Sequence, residues 1–409
     1  MCLSTTKSII GQSNKMAVFP LLNGTYQLEI YNSIREAEHR WSVIAPANND
    51  FLQIPYFHFL EQHPPRGLSF RYLVFTQSDT VIGIALCQLV QLRVGDALTD
   101  NDIPGYQQKV NEWILKLANM NAIINGNLLL TGDYGSYFDS SVTSTIQYQL
   151  IDAGLHQLKS ELKKQSHATS LIILKDVANS KQNQVKSSLG KQYNEFVLQP
   201  NMVLPLLEEW DTFESYLGDM TSKARTRAKR AFKALGPIEK KEFNLDLLDA
   251  FLPQIDKLYK AIADKAGFNV VYLDGHYFRA FKEHFPEKFR VYGYFLNNEL
   301  LAFYTTFKNH HELEAHYLGI DAQSNRTYQL YLNILFDIIR IGLDSKVEHI
   351  NFARTALEIK SSVGAQPQEL YFYGKHTNPL KNQVFSPVLA YFQPTVDWKP
   401  RNPFKKKSS

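Results

Sequence analysis

Apolar and polar residues alternate over two stretches of the chain, and a short polar turn breaks each once. Phe70, Tyr72 and Val74 lead into Gln77-Ser78-Asp79, and Val81, Ile82, Ile84 and Leu86 follow. Val291, Tyr292, Tyr294 and Phe295 lead into Asn297-Asn298, and Leu300, Leu301, Phe303 and Tyr304 follow. This pattern predicts β-hairpins over 70–92 and 289–308. A strand at 127–131, a helix near 141–163 and a closing strand at 170–174 are expected after the first hairpin. After the second come a strand at 311–318, a helix near 327–341, a closing strand at 348–352 and a last strand near 369–373. Leu330, Ile334, Ile338 and Ile341 recur at helical spacing. Helical stretches also precede each hairpin, at 33–42 and 56–61 in the first half and at 212–217, 221–235 and 247–266 in the second. The first half carries an insert near 94–124, with an amphipathic helix on Val110, Trp113, Ile114 and Leu117. The same order of elements in two near-equal halves reads as an internal duplication. A chain of 409 residues exceeds one ordinary core, so two domains are expected, at 16–200 and 201–395.

One helix differs in character from the rest. Over 221–235, Ala224, Ala228, Ala231, Phe232 and Leu235 fall on one side, and Lys223, Arg225, Arg227, Lys229, Arg230 and Lys233 cover the remainder with no acid between them. Thr221 or Ser222 can cap its start, and Gly236-Pro237 stops it. The narrow alanine face suits close packing against a sheet, with the basic face presented beside it. Such a face either serves a phosphate-bearing ligand or only solvates the helix.

Composition narrows the class. A net charge of +4 is too small to argue for bulk nucleic-acid binding, so the charge matters locally. Aromatic residues at 13% favour aromatic-faced sheets. Cys2 and Cys87 provide neither a disulfide framework nor a cysteine metal site. Residues 1–15 lack the apolar core of a secretory signal, and no apolar run reaches the ~18 residues of a spanning helix. A cytoplasmic monomer without stable membrane insertion is the expectation. The basic tail 396–409 is expected to be disordered. His310-His311 lacks a third metal ligand, and no H-E-x-x-H, G-x-S-x-G or Walker loop occurs, so no metal is expected.

Several segments resemble one superfamily. Tyr216-Leu217 with Ser222 to Arg227 resembles the entry to the acceptor side of FemABX-type aminoacyltransferases and of related bacterial GNAT-like acetyltransferases. Gly319 with Tyr328 to Tyr331, and Phe352 to Lys360 followed by Gly364-Ala365, resemble later parts of the same module. Trp41, Phe51-Leu52 and Leu60-Glu61 resemble its start more faintly. The resemblance implies an α/β (α+β) fold of tandem GNAT-like domains, each a mixed, largely antiparallel sheet flanked by helices. It implies transfer of an acyl or aminoacyl group to an amine. The co-substrate would be acyl-CoA (acetyl-CoA) or an aminoacyl-tRNA, with no tightly bound cofactor. The acceptor would be a phosphate-containing small molecule such as a cell-wall or lipid precursor. Gly319, Asn325, Arg326 and Thr327 are the candidate donor contacts. The loop that holds them, like Gly132 to Ser136 in the first half, departs from the R/Q-x-x-G-x-G/A form of acetyl-CoA enzymes. FemABX-type enzymes depart from it too.

Amide formation needs a neutral amine, an oxyanion stabiliser and a proton for the leaving group. Glu312, Glu314 and His316 alternate along one expected strand and share a face, with Tyr317 opposite. Glu314, His316 and Glu358 are the candidate catalytic groups, and Glu312 reads as part of an exposed polar face. Arg354 and Glu358 could sit one helical turn apart, as a salt bridge or at a ligand. Lys223, Arg225, Arg227, Arg354 and Lys360 are the candidate substrate contacts. The rival reading is a catalytically silent binding protein that keeps the fold. A nucleic-acid module ranks last, because only one basic helix is evident.

Overall fold

The computed structural model describes residues 17–93, 119–264, 271–383 and 398–405. In the first half the strands are β1 (Ala17–Leu21), β2 (Tyr26–Tyr31), β3 (Leu68–Gln77), β4 (Thr80–Arg93), β5 (Asn119–Asn125), β6 (Ser136–Phe138), β7 (Leu171–Ala178) and β8 (Asn194–Val197). Helices α1 (Ile34–Trp41), α2 (Ile54–Gln62), α3 (Ser144–Lys164) and α4 (Gln182–Leu189) flank them. In the second half the strands are β9 (Asn201–Pro205), β10 (Glu239–Glu242), β11 (Phe289–Leu296), β12 (Glu299–Asn309), β13 (Glu312–Ile320), β14 (His349–Asn351), β15 (Gln366–Gln368) and β16 (Leu370–His376). Its helices are α5 (Phe213–Asp219), α6 (Ser222–Leu235), α7 (Leu245–Ala263), α8 (Gly275–His284), α9 (Ala322–Tyr328), α10 (Leu330–Asp344), α11 (Leu357–Ser361) and α12 (Pro379–Gln383).

Both hairpins form where the alternation places them. Ser78-Asp79 and Asn297-Asn298 hold positive φ at both positions, between 48° and 66°, which matches the twist of a two-residue hairpin loop. In each half the hairpin is followed by a strand, a helix and a strand parallel to the first: β5 with β7, and β13 with β14.

One strand then crosses between the sheets. The first sheet runs β1-β2-β3-β4-β5-β7-β16-β8, with β6 on β4, and the second runs β10-β11-β12-β13-β14-β9-β15. After β8 the chain crosses to insert β9 beside β14, and after β15 it crosses back to insert β16 beside β7. The last strand, expected to finish the second half, therefore completes the first. The two halves also share a core. Phe51 packs on Phe307 with ring centroids 4.9 Å apart, and Phe59 stacks on Phe281 at 4.6 Å. One aromatic-rich cluster holds Trp41, Tyr56 and Phe59 from the first half together with Phe281, Phe289 and Phe303 from the second. This is where the aromatic excess is spent.

Three local expectations need correction. Residues 127–131 form a loop, and β5 at 119–125 takes the strand's place. Gly126 turns the chain with φ 147°, and Asn127 Oδ1 accepts from the Leu129 amide, so the apolar run Leu128 to Leu130 packs into the core from a turn. The insert helix on Val110 to Leu117 lies outside the described residues. The helix expected from 327 is two helices, because Gln329 between them is left-handed, with φ 50°. The tail is docked over 398–405. The Thr221 amide donates to the Pro403 carbonyl at 2.8 Å, and Phe404 packs on Trp210 with centroids 4.9 Å apart. No helix among the described residues is long and apolar enough to cross a membrane.

Because Phe281 touches aromatic rings from both halves, Phe281→Ala should cost about 3–5 kcal/mol. The loss should lower the urea midpoint of one shared unfolding transition, followed in parallel by far-UV dichroism and tryptophan fluorescence.

Candidate active site

The parallel pair β13 and β14 stays in register for three residues, from Glu312 opposite His349 to Glu314 opposite Asn351. Beyond Asn351, β14 ends while β13 continues to Ile320, so the strands part in a fork. A loop of the first half closes over this fork. Tyr134 Oη lies 2.7 Å from Glu312 Oε1 and 2.6 Å from Glu314 Oε1. Asn351 Nδ2 donates to Glu314 Oε1 at 3.1 Å and to the Thr131 carbonyl at 2.9 Å. His349 Nε2 meets Glu312 Oε2 at 2.7 Å.

The two carboxyls are pushed apart in acidity. Burial, and then the charge of Glu312, raise Glu314 well above its ordinary value, and Glu314 is 2% exposed. Burial also opposes ionisation of Glu312, but hydrogen bonds from His349, Glu314 and Tyr134 outweigh it and lower the pKa. The hydrogen bond to Glu312 raises His349, against its burial. One arrangement satisfies all four groups. Protonated Glu314 donates to the Tyr134 oxygen, Tyr134 donates to ionised Glu312, and Glu312 accepts from His349, whose side chain is 36% exposed. A hydrogen-bonded line thus runs from a buried acid to a half-exposed imidazole.

A second buried cluster adjoins the first. The register slip between Tyr371 and Tyr373 leaves Lys175 and Asp176 together opposite one partner residue, and Asp176 adopts φ 61°. Asp176 is fully buried, ion-paired to both Lys175 and Arg354, and accepts from the Gly132 amide at 3.0 Å. Burial opposes its charge, and the two cations outweigh it and hold its pKa below the ordinary value. Burial also pulls the Lys175 ammonium down, although Asp176 opposes this.

Three expectations about side chains along β13 are overturned. Glu312 is not an exposed polar position but part of the Tyr134 bridge. A bulge opposite Tyr304–Thr306 breaks the alternation, so His316 and Tyr317 share a face, with centroids 4.6 Å apart. His316 therefore turns into the aromatic core against Tyr277, Phe281 and Phe289. Burial pushes its pKa down to about 3, and neither ring nitrogen has a partner among the described residues. A neutral imidazole without an orienting partner is a poor general base.

The other candidates separate. Arg354 does not pair with Glu358. It reaches across the domains to Asp176, and its Nε donates to the Gln199 carbonyl at 2.9 Å. Glu358 pairs instead with Arg401 of the tail, at the surface. Lys360 is buried, and its Nζ donates to the carbonyls of Phe352 at 2.6 Å, Ala353 at 3.2 Å and Arg354 at 2.6 Å. It braces the segment that carries Arg354 instead of reaching a substrate. On α6, Ala228 and Ala231 are buried as expected, but the helix lies along α10 and not against a sheet: Asn333 Nδ2 donates to the Ala231 carbonyl at 2.9 Å. Lys223 is exposed, Arg225 half-buried, and Arg227 lines a cavity.

Two of the expected donor contacts, Gly319 and Asn325, are engaged internally. A Cβ on Gly319 would lie 2.6 Å from the Leu258 carbonyl carbon, so this glycine lets α7 approach β13. Asp321 accepts from the Ser324 amide at 2.7 Å, and Asn325 Oδ1 accepts from the Tyr331 amide at 2.8 Å. Arg326 and Thr327 are exposed. Sequence reasoning missed Tyr134, Lys175, Asp176, His349 and Asn351. One signal was present: Lys175-Asp176 is a charged pair inside the otherwise apolar strand Leu171–Ala178.

Comparison with known proteins places the fold. No protein-family model matches the sequence, and no curated protein matches it. The chain is structurally similar to FemX, with a TM-score of 0.51 and 12% identity, over 87% of this chain and 99% of that one. It is also similar to a tandem GNAT protein from the clavulanic acid biosynthesis pathway, with a TM-score of 0.50 and 11% identity, over 86% and 99%. The fold is thus a tandem GNAT-like, FemABX-type fold, as the resemblance of the sequence segments implied.

The raised Glu314 sets a sign for stability. Its folded pKa exceeds the ordinary 4.5, so between the two values the folded state holds the extra proton. Its contribution is full below that ordinary value and falls as pH rises, by about 1.4 kcal/mol per pH unit within the window. Urea unfolding at pH 5, 6, 7 and 8 should show wild type losing stability relative to Glu314→Gln as pH increases. A constant difference would mean that Glu314 is ionised in the fold.

Proposed function

We propose that the chain transfers an acyl or aminoacyl group from an ester or thioester to an amine, with the chemistry at the fork of β13 and β14. The observation that carries this reading is the pair of carboxyls pushed apart in acidity around the Tyr134 hydroxyl. Separated acidities of this kind suit one group to hold a proton and another to receive one. In this reading His349, held by Glu312, receives the amine proton as nitrogen attacks the acyl carbon. Tyr134 turns its hydroxyl proton from Glu312 to the departing oxygen or sulfur and takes a proton from Glu314 in its place. The C–N bond forms and the C–O or C–S bond breaks, with no change in oxidation state. The acceptor is an amine on a phosphate-bearing molecule, a class that the half-buried Arg227 supports.

The internal occupancy of the glycine-loop positions weighs on the donor. Amides that would meet a pyrophosphate are taken by Asp176 at Gly132, by Asp321 at Ser324 and by Asn325 at Tyr331. This supports an aminoacyl ester donor over acyl-CoA. It also supports a second reading, in which the fold is kept as a binding protein without transfer activity.

Hydroxylamine, a small amine, tests transfer without knowledge of the acceptor. The full chain should convert aminoacyl-tRNA, more than acetyl-CoA, to a hydroxamate, and Glu314→Gln should slow this by about 10²-fold or more. Consumption of neither donor above background would move the assignment to the silent binding protein. An undiminished rate in Glu314→Gln would remove the fork from the mechanism.

A further inference from the structure

Beyond the fork, a cavity of about 380 Å³ opens between the second domain and the docked tail. Arg227 from α6, Glu358 from α11, Gln199 from the β8–β9 crossing, and Trp398 and Arg401 from the tail line it. Its charges do not balance. Glu358 is ion-paired to Arg401, whose Nε donates to Glu358 Oε1 at 2.9 Å. Arg227 forms no ion pair or side-chain hydrogen bond among the described residues. Burial, and then the nearby charge of Arg401, lower its pKa. Two guanidiniums therefore border one space with one carboxylate between them. An unpaired half-buried arginine beside a second arginine carries an unmet demand for an anion with several acceptor oxygens.

The tail that supplies half of this site is held at separate points. Phe404 packs on Trp210 and Tyr216, against the face of Gly364, where a Cβ would lie 2.4 Å from its ring. The Arg401 amide donates to Ser361 Oγ at 3.0 Å, and Lys405 Nζ donates to the Gly218 carbonyl at 2.7 Å. The site also communicates with the fork. Gln199 accepts from Arg354 through its carbonyl, and Arg354 reaches Thr131 Oγ1 at 3.3 Å, in the loop that closes over Glu314.

We propose that the cavity binds a phosphate or pyrophosphate group between Arg227 and Arg401, and that residues 398–405 form the closing half of the site. A ligand there joins the tail to α6, so binding and tail docking reinforce each other. The proposal concerns anion binding and stands whether or not the fork transfers an acyl group.

Titration of the full chain with inorganic pyrophosphate, followed by calorimetry, tests it. Wild type should bind, and Arg227→Gln and Arg401→Gln should each weaken binding about ten-fold or more. Lys229→Gln, an exposed cation on the same helix and outside the cavity, should change it less than two-fold. Saturating pyrophosphate should slow tryptic cleavage after Arg401, and Phe404→Ala, which loosens the anchor, should weaken binding while the far-UV dichroism stays that of wild type. Inorganic phosphate in place of pyrophosphate separates the two ligand forms: equal affinity assigns a single phosphate, and tighter pyrophosphate binding assigns the diphosphate. No binding of either anion would overturn the proposal. So would equal weakening by Lys229→Gln and Arg401→Gln, which would mean attraction to a diffuse basic face. Unchanged affinity in both Arg401→Gln and Phe404→Ala would remove the tail from the site.

Discussion

The insertion of β16, a strand of the second half, between β7 and β8 of the first sheet is the constraint on which the rest of the molecule depends. The first sheet has no continuous hydrogen-bond ladder from β7 to β8 without this strand. The crossings bring the loop after β5 to the fork of β13 and β14. They set Asn351 and Arg354, at the end of β14, against Thr131 and Tyr134, in the loop after β5.

Burying this much charge costs free energy unless every group is paired. The structure meets that demand with two bulges. Each places two consecutive residues on one side of a strand: Lys175 with Asp176 in β7, and His316 with Tyr317 in β13. The first assembles an acid between two cations, with Gly132 supplying a peptide donor. The second has the opposite result, sending a histidine into an aromatic wall where its ring stays neutral. The same device therefore builds one polar cluster and retires one polar candidate.

Likeness to FemX and to a tandem GNAT protein establishes architecture, and the chemistry has to be argued from the site. Here the site differs from a simple cofactor cradle. Side-chain acceptors already occupy peptide donors at the loops and helix starts, and the unmet positive charge has moved to the rim, where α6 and the tail face each other. The region around the fork is thus rich in proton-holding groups, and the region around Arg227 is rich in anion-holding ones. Arg354 and Gln199 lie between them.

The sequence by itself determined the elements whose signals are local. Alternation and Asx-rich turns determined both hairpins, helical spacing determined α10, and the alanine stripe determined which side of α6 is buried. Residue types pointed to Glu314 and Arg227, because an acid in a strand and an uncompensated basic helix are visible without coordinates. What only the tertiary structure decided lies wherever the partner is distant. The last strand's sequence reads the same in either sheet, so its transfer to the first depends on a sheet edge some two hundred residues away. Strict alternation cannot reveal a bulge, because a bulge is a mismatch between two strands and has no signature in one of them. Arg354 finds Asp176, Glu358 finds Arg401, and Tyr134 finds two glutamates, because burial leaves a charged or polar group no stable alternative to the partner that the fold brings to it.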